Sequence, residues 1–407
     1  YVALESQPTF VFKAAAPRQL NLALASSGKP GKPVLLKVMV NDAYKNQASG
    51  FDGYVQLSCS DPGASFPSVI RILPEDNGWK DVYVTFSQHG VYTVSASVLS
   101  ANYTINGTYS SNPVSISEDS LRIFWGDFHT HTKFSRDGFG SEGYRYAKNA
   151  IGLDFYGGTD HADMNNIDTF GINRNEWNTL QQEVLQTDEA DRFVAFLGYE
   201  NSLDNPSGHY NFIYNFDNSE VDKVPNIPRH FYFTIQNLWA KMDQLNMQGK
   251  VLTIPHHTGK LFGSVGPDNG ATQFGGTFYR PEYKRIIEIY SGHGQGEYYN
   301  PSHNLAYEKF GGRSTKFPSF AQDAWAAGEK LGVIASTDSH SGQPAQTNVG
   351  LAAVMTDSLP RSSIFNGLYS RHTYATTGEK IILKFNIGDA MMGDELTVPK
   401  DSLPLIK

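Results

Sequence analysis

Apolar and polar positions fall into two patterns along the chain. Over residues 1–117, short runs at 33–40 (PVLLKVMV), 54–58, 81–86 (DVYVTF) and 91–98 (VYTVSASV) are apolar throughout or alternate with polar positions. Turn formers separate them, among them Asp61-Pro62-Gly63 and Asp76-Asn77-Gly78. Period-two alternation turns one face of each run to a core, and turns at this spacing predict an antiparallel, Ig-like β-sandwich. A polar stretch at 115–120 (SISEDS) then marks a change. From Leu121 onward, apolar runs alternate with helix-like segments, which predicts an α/β domain with a parallel sheet. The expected strands are 121–125, 153–156, 193–197, 251–254, 285–289 and 332–335; the expected helices are 143–150, 174–186, 235–247 and 320–331. After Gly350 the pattern returns to β. Residues 379–407 read as a short β-rich extension, truncated before its closing partner.

Composition narrows the class. The chain has 407 residues, enough for two or three domains, and 40% are hydrophobic, so a sizeable core is expected. Its net charge of −8 speaks against a nonspecific nucleic-acid or anionic-membrane binder, which needs a basic face. One cysteine, Cys59, excludes an internal disulfide framework and a cysteine-rich zinc site. No apolar run is long enough for a transmembrane helix. The chain opens on Tyr1 with no signal-peptide pattern, which, with the sandwich, favours a processed protein outside the cytoplasm over a cytoplasmic one. Oligomeric state is not readable.

The candidate chemistry follows the strands. The first run leads into Asp127-Phe-His129-Thr-His131, the second into Thr159-Asp160-His161 and the third into Gly198-Tyr199-Glu200. The fourth leads into Pro255-His256-His257, the fifth into Tyr290-Ser-Gly-His293 and the sixth into Thr337-Asp338-Ser-His340. In a β/α barrel the C-terminal strand ends open onto one face, so these side chains would converge. His129 and His131, and again Asp338 and His340, are two residues apart and face one way in extended backbone. Imidazole and carboxylate without thiolate suit zinc, manganese or iron. The expected ligands are His129, His131, Asp137, His161, Glu200, His256, His293, Asp338 and His340, more than one ion can use, so two or three divalent ions per chain are expected. Alternation gives only one of His256 and His257 the inward direction, which leaves His257 for the substrate or a catalytic role. His209, Lys260 and Arg371 are candidate substrate-binding residues. Asp160 is expected to orient a ligand from behind. His89, His230 and His303 are assigned to surface or packing.

These residues, in this order, resemble the PHP (polymerase and histidinol phosphatase) superfamily. The resemblance covers about two-thirds of the chain, residues 121–378, and rests on Asp127-Phe-His129-Thr-His131, Ser135-Arg-Asp137-Gly, Gly158-Thr-Asp160-His161, Gly198-Tyr-Glu200, Pro255-His256 and Ser336-Thr-Asp338-Ser-His340. With an N-terminal β domain and Arg371-His-Thr-Tyr-Ala-Thr-Thr-Gly378, the chain looks like a poorly characterised bacterial branch. The resemblance implies a distorted seven-stranded, TIM-like β/α barrel and hydrolysis of a small or polymeric phosphoester. It implies a cluster of up to three metals, with Glu200 bridging. Asp137 stands where many relatives have His, which favours a harder ion such as manganese. On this reading Asp338, His340 and His257 are catalytic, with metal-activated hydroxide as nucleophile. Two other classes remain: an amidohydrolase-like metallohydrolase, whose usual bridging strand lysine has no counterpart at these strand ends, and a surface or assembly protein with a metal-binding barrel.

Overall fold

The computed structural model describes residues 13–135, 137–140, 143–162, 172–203, 206–227, 234–261, 271–306, 308, 313–314, 318–346, 349–399 and 406. The N-terminal region is sheet-rich. Strands Gln19–Leu24, Pro33–Asn41 and Trp79–Thr85 form one antiparallel sheet; Val69–Ile72, Gly53–Cys59, Val94–Ala101 and Tyr109–Ser110 form another. Strand Gly53–Cys59 alternates between buried and exposed positions, so one face meets the core. That core draws Leu36, Val38, Val84 and Phe86 together with Val55, Leu57 and Ile72.

The region beyond it is mixed α/β. Its strands are β1 (Arg122–Asp127), β2 (Phe155–Gly157), β3 (Val194–Ser202), β4 (His209–Tyr214), β5 (Val251–Pro255), β6 (Ile286–Ser291), β7 (Gly332–Ala335), β8 (Leu351–Thr356) and β9 (Thr373–Thr376). Seven of them form one sheet in the order β5-β4-β3-β2-β1-β8-β9. The parallel sheet expected from the alternation of strands and helices is only partly present. β1, β2 and β3 run parallel, whereas β4, β5, β8 and β9 join through antiparallel pairs. Apolar periodicity marks a strand but carries no direction: the short connection β3–β4 allows an antiparallel neighbour, and the longer β8–β9 connection, which carries the helix Arg361–Tyr369, returns antiparallel as well. β6 and β7 pair in parallel outside this sheet; β6 lies against β5 and β7 against β9, so the sheet curls toward the pair. Phe124, Phe155, Phe196, Ile213, Ile254, Ile286, Ile334 and Val354, from eight strands, form one core within the curl.

Helices α1 (Gly143–Tyr146), α2 (Arg174–Thr187), α3 (Ile235–Gln244), α4 (Ala321–Ala326) and α5 (Arg361–Tyr369) connect the strands. Helix α4 is shorter than the expected 320–331, because Gly328 turns left-handed at φ 87° and its amide closes onto the Trp325 carbonyl. No helix among the described residues is long and apolar enough to cross a membrane.

The two regions are latched by polar side chains. α1 continues as a wider turn over Ala147–Ile151, whose final carbonyls need partners. Asn21 and Asn41 each donate to the Ala150 carbonyl at 2.9 Å. The buried Lys37 ammonium donates to the carbonyls of Leu153 (3.0 Å), Arg192 (3.2 Å) and Gly152 (3.5 Å), with Asp154 at 3.8 Å. Gly152 sits at φ 72°, and a Cβ there would lie 2.8 Å from the Ala23 Cβ. Replacing Lys37 with Met leaves three carbonyls and Asp154 without this donor, and is expected to lower unfolding free energy by about 2–4 kcal/mol. Burial, opposed by Asp154, pushes the Lys37 amine down from 10.5 to about 8. Between those two values the unfolded chain holds a proton that the folded chain has released, so stability rises with pH. Denaturant titrations at pH 7.5 and 10 should therefore show wild type gaining relative to Lys37→Met by up to about 3 kcal/mol; parallel curves would overturn this.

Candidate metal centre

Glu200 lies within β3, while most of the other ligands lie just beyond strand ends, where backbone hydrogen bonds continue. After β1, Thr130 bridges to Ser339, the His131 amide donates to the Ser339 carbonyl (2.7 Å), and the Asp338 amide donates to the His129 carbonyl (2.8 Å). After β2, His161 bridges to Glu200 within β3. His209 opens β4 opposite Ser202, and His256 follows β5. These pairings bring residues from 129 to 340 to one end of the curl.

Two buried carboxylates organise the cluster. Glu200 Oε2 lies 3.2 Å from Nε2 of both His129 and His131. Glu200 Oε1 lies 3.2 Å from His256 Nε2 and 2.8 Å from His209 Nδ1. Asp338 Oδ1 is 3.2 Å from His129 Nε2 and 3.4 Å from His131 Nε2, while Oδ2 is 3.0 Å from His293 Nε2. At the mouth, Asp137 Oδ2 stands 3.5 Å from His161 Nε2 and 3.4 Å from His340 Nε2, with its side chain 54% exposed. Depth therefore runs from His129 and His256, fully buried, out to Asp137.

Electrostatics follow from this crowding. Burial opposes ionisation of Glu200, but the imidazoles of His161, His256, His129 and His131 hold it well below the usual carboxylate range. Asp338 is likewise held low against burial by His129, His293 and His131. Burial disfavours a charged His129, yet Asp338, Glu288 and Glu200 raise it well above an ordinary imidazole. Burial and the Lys260 charge push His209 down to about 3, against the pull of Glu200.

This arrangement fits divalent ions. Ligands about 2.1 Å from one ion lie roughly 3.0–3.4 Å apart in tetrahedral or octahedral geometry, the range seen between these nitrogens and carboxylate oxygens. Outward ring nitrogens have partners that fix orientation: His129 Nδ1 is 3.0 Å from Glu288, and His131 Nδ1 is 3.1 Å from Ser135 Oγ. Ser135 in turn donates to Asp160 at 2.8 Å, and Asp160 also accepts from the Thr132 amide and hydroxyl. Both ring nitrogens of His256 are buried and make no hydrogen bond among the described residues. Four groups place their ligand atoms within 4.8 Å of one another: His131-Asp137-His161-His340, His129-His131-Asp338, His293-Asp338-His340 and Glu200-His209-His256-His257.

The nine expected ligands are thus brought together, with four differences from the sequence reading. His257 does not turn away from His256; both are buried at the cluster, because His257 adopts φ 32°, which breaks strand alternation. Asp338 and His340 do not lie on β7, which ends at Ala335; Asp338 turns at φ 51°, and its carbonyl meets His340 Nδ1 at 3.1 Å. Two non-glycine residues in that region at one site represent about 1–3 kcal/mol of strain each. Arg371 is not at the cluster. Its guanidinium donates to the Gly393 carbonyl (2.8 Å) and to Glu395 (3.2 Å), tying down the C-terminal segment, so it is not a substrate ligand. Glu288 was missed: it is a carboxylate buried within the apolar β6 run IIEIYS, and a charge in such a run is its sequence signal. His89 and His303 are exposed, and His230 lies outside the described residues.

Residues 152–307 match the model of a family described as a protein of unknown function (DUF3604). The chain is 24% identical over 323 residues to an uncharacterized protein of Chlamydia pneumoniae, covering 77% of this chain and 48% of that protein. It is 24% identical over 325 residues to an uncharacterized protein of Chlamydia trachomatis, with the same coverages. The chain spans about half the length of the curated relatives it matches. Among solved structures, it is similar to a two-domain protein from Bacteroides vulgatus containing a predicted PHP-like metal-dependent phosphoesterase. That likeness has 17% identity and a TM-score of 0.40, over 64% of this chain and 66% of that one. The D00-D0 domain of intimin matches 24% of this chain and 46% of its own, at 15% identity and a TM-score of 0.19.

Proposed function

We propose that the chain is a metal-dependent hydrolase that cleaves phosphoesters, holding two or three zinc, manganese or iron ions in the cluster around Glu200 and Asp338. The observation that carries this reading is the inward turn of His129, His131, His256 and His293 onto two buried carboxylates. The PHP resemblance of the sequence supports phosphoesters as the substrate class. In the same reading the curled sheet and the β6–β7 pair make a distorted β/α barrel, and the sheet-rich region supports a location outside the cytoplasm.

Bound divalent ions supply Lewis acidity and make coordinated water more acidic. The chain's own groups do the rest. Glu200 and Asp338, each touching several imidazoles, would supply the carboxylate ligands and the negative charge for bound ions. Asp160, through Ser135, fixes the His131 ring. His340, 29% exposed at the mouth, has Nδ1 on the Asp338 carbonyl and Nε2 3.4 Å from Asp137; where no ion takes Nε2, that nitrogen would pass a proton to a leaving group.

Elemental analysis of the purified chain should find at least two of these ions per chain. His129→Ala should lower that number, and His89→Ala should not. Because His129 and His131 are both raised above an ordinary imidazole against burial by the carboxylates, ions must displace their protons. Uptake by the stripped chain should therefore tighten from pH 6 to pH 8. A folded, stripped chain that takes up no metal at pH 8, or that turns over no mono- or diester once loaded, would overturn the reading.

A further inference from the structure

The loop that carries Asp338 and His340 is bent against its own preference. Asp338 and Ala345 both take left-handed backbone, at φ 51° each, with Gly342 between them at φ 69°. Non-glycine residues persist in that region only where surrounding contacts hold them. Asp127, buried at the end of β1, holds both ends of the loop. Its Oδ2 accepts from the Thr337 hydroxyl (2.6 Å) and the Ala345 amide (3.1 Å). Its Oδ1 accepts from the amides of Thr337 (3.2 Å) and His129 (3.0 Å). Midway, the Gly342 amide donates to the His131 carbonyl at 2.9 Å, and the Phe139 amide donates to the His340 carbonyl at 2.8 Å.

One further hold comes from the N-terminal region. Gln343, next to Gly342, donates from Nε2 to Asn46 Oδ1 at 3.1 Å, across 297 positions of sequence. Asn46 belongs to a tight turn that follows strand Pro33–Asn41. Its Nδ2 and its backbone amide donate to the two oxygens of the buried Asp42, at 3.0 and 2.9 Å. That contact fixes the sense of the side-chain amide, nitrogen toward Asp42 and oxygen toward Gln343. Asp42 also accepts from the amides of Tyr44 and Ala15, each at 2.8 Å. Asn41, at the base of the turn, donates to the carbonyls of Lys45 (3.0 Å) and Ala150 (2.9 Å), so the turn is braced on the α/β region apart from Gln343.

Resting on the metal-dependent reading above, we propose that Asn46 is a positioning residue for the metal ligands: through Gln343 it holds the loop in the bend that aims Asp338 and His340 at the bound ions. The N-terminal region thereby serves the chemistry without touching an ion. Gln343 is the point where such a hold is felt, because the loop is pinned at Thr337 and Ala345 and its neighbour Gly342 is bonded to the backbone of His131. Three of the four ligand groups contain Asp338 or His340, whereas Glu200-His209-His256-His257 contains neither. Loss of the Asn46 hold therefore weakens some ions and spares another.

The test compares the full chain with Asn46→Ala, Gln343→Met, their double variant and Gln343→Lys. Manganese(II) uptake by the stripped chain, read by calorimetry, should show the weakest-held ion loosened about threefold to tenfold in each of the first two variants. The double variant should lose no more than either single one, because both remove the same bond. Gln343→Lys, whose ammonium can donate to the same Asn46 oxygen, should stay within about twofold of wild type. With p-nitrophenyl phosphate, kcat should fall by a factor similar to that in ion affinity, with KM within about twofold. Gln47→Ala, which removes a side chain that donates to the Asn77 carbonyl inside the N-terminal region, should change neither. Gln343→Met leaves the Asp42 turn intact and serves if Asn46→Ala does not fold. Manganese affinity equal to wild type in the folded single variants, even with a lower melting temperature, would make the bond a latch between regions and overturn the positioning role; so would additive losses in the double variant. A wild type that takes up ions but cleaves no ester overturns the phosphoester reading alone, and the manganese affinities still decide this proposal. A wild type that takes up no ion overturns the metal reading and this proposal with it.

Discussion

Replacing Asp338 with Asn should lower phosphoester turnover by the metal-loaded chain about 10²- to 10³-fold without unfolding it. Asp338 is a buried carboxylate whose two oxygens meet Nε2 of His129, His131 and His293 at 3.0–3.4 Å. Asparagine keeps the shape and removes the charge. One of its two terminal atoms becomes a donor facing ring nitrogens that need an acceptor or an ion. The lost charge is the one that offsets neighbouring cations, so the ions shift or one is lost, and stabilisation of the transition state falls by about 2.7–4 kcal/mol. The measurement is phosphate release from a panel of mono- and diesters with manganese or zinc supplied, alongside thermal unfolding. Equal rates in the variant and wild type would assign the activity to another site or to a contaminant.

Glu200→Gln should cost the chain at least one bound ion and turnover of the same order or more. Its two oxygens are contacted by five imidazoles: His129 and His131 on Oε2, and His161, His209 and His256 on Oε1. Glu200 belongs to one of the four groups and touches imidazoles of two others, so the amide loosens three groups at once. Elemental analysis after gel filtration reads the ion loss, and far-ultraviolet circular dichroism checks the fold. A folded Glu200→Gln chain with a full complement of metal would remove Glu200 from the centre of the proposal.

Much of this site is legible in the chain because donors recur at the ends of apolar runs. His129, His161, Glu200, His256 and His293 each follow or close such a run, and backbone hydrogen bonding beyond the strands then carries them together. Glu288 and the Ser135–Asp160 link were less legible, since their roles arise from contacts across the curl and not from spacing. Arg371 shows the reverse error. A lone arginine in a recognisable segment reads as an anion ligand, yet its φ of 66° and its bonds to Gly393 and Glu395 make it a clamp on the chain's own backbone.

The N-terminal region also carries more than its sequence promised. With every candidate ligand beyond residue 126, it reads as separable from the chemistry. In the structure, Lys37, Asn21 and Asn41 cap carbonyls at the turn between α1 and β2, and the Trp125 indole in β1 donates to Ser26 at 2.8 Å. A chain beginning near Ser120 would leave those groups unpaired.

By itself, the sequence determined where apolar runs fall, which donors end them, and that imidazole and carboxylate, not thiolate, would meet any metal. Those follow from local rules: side-chain period, turn chemistry and ligand type. Tertiary structure alone decided the direction of β4, β5, β8 and β9, the left-handed turns that bring His257 and Asp338 inward, the partner of Lys37, and the removal of Arg371 from the site. Each of these is settled by groups distant in sequence, whose backbone bonds and buried charges must be satisfied together, and no local pattern encodes that joint requirement.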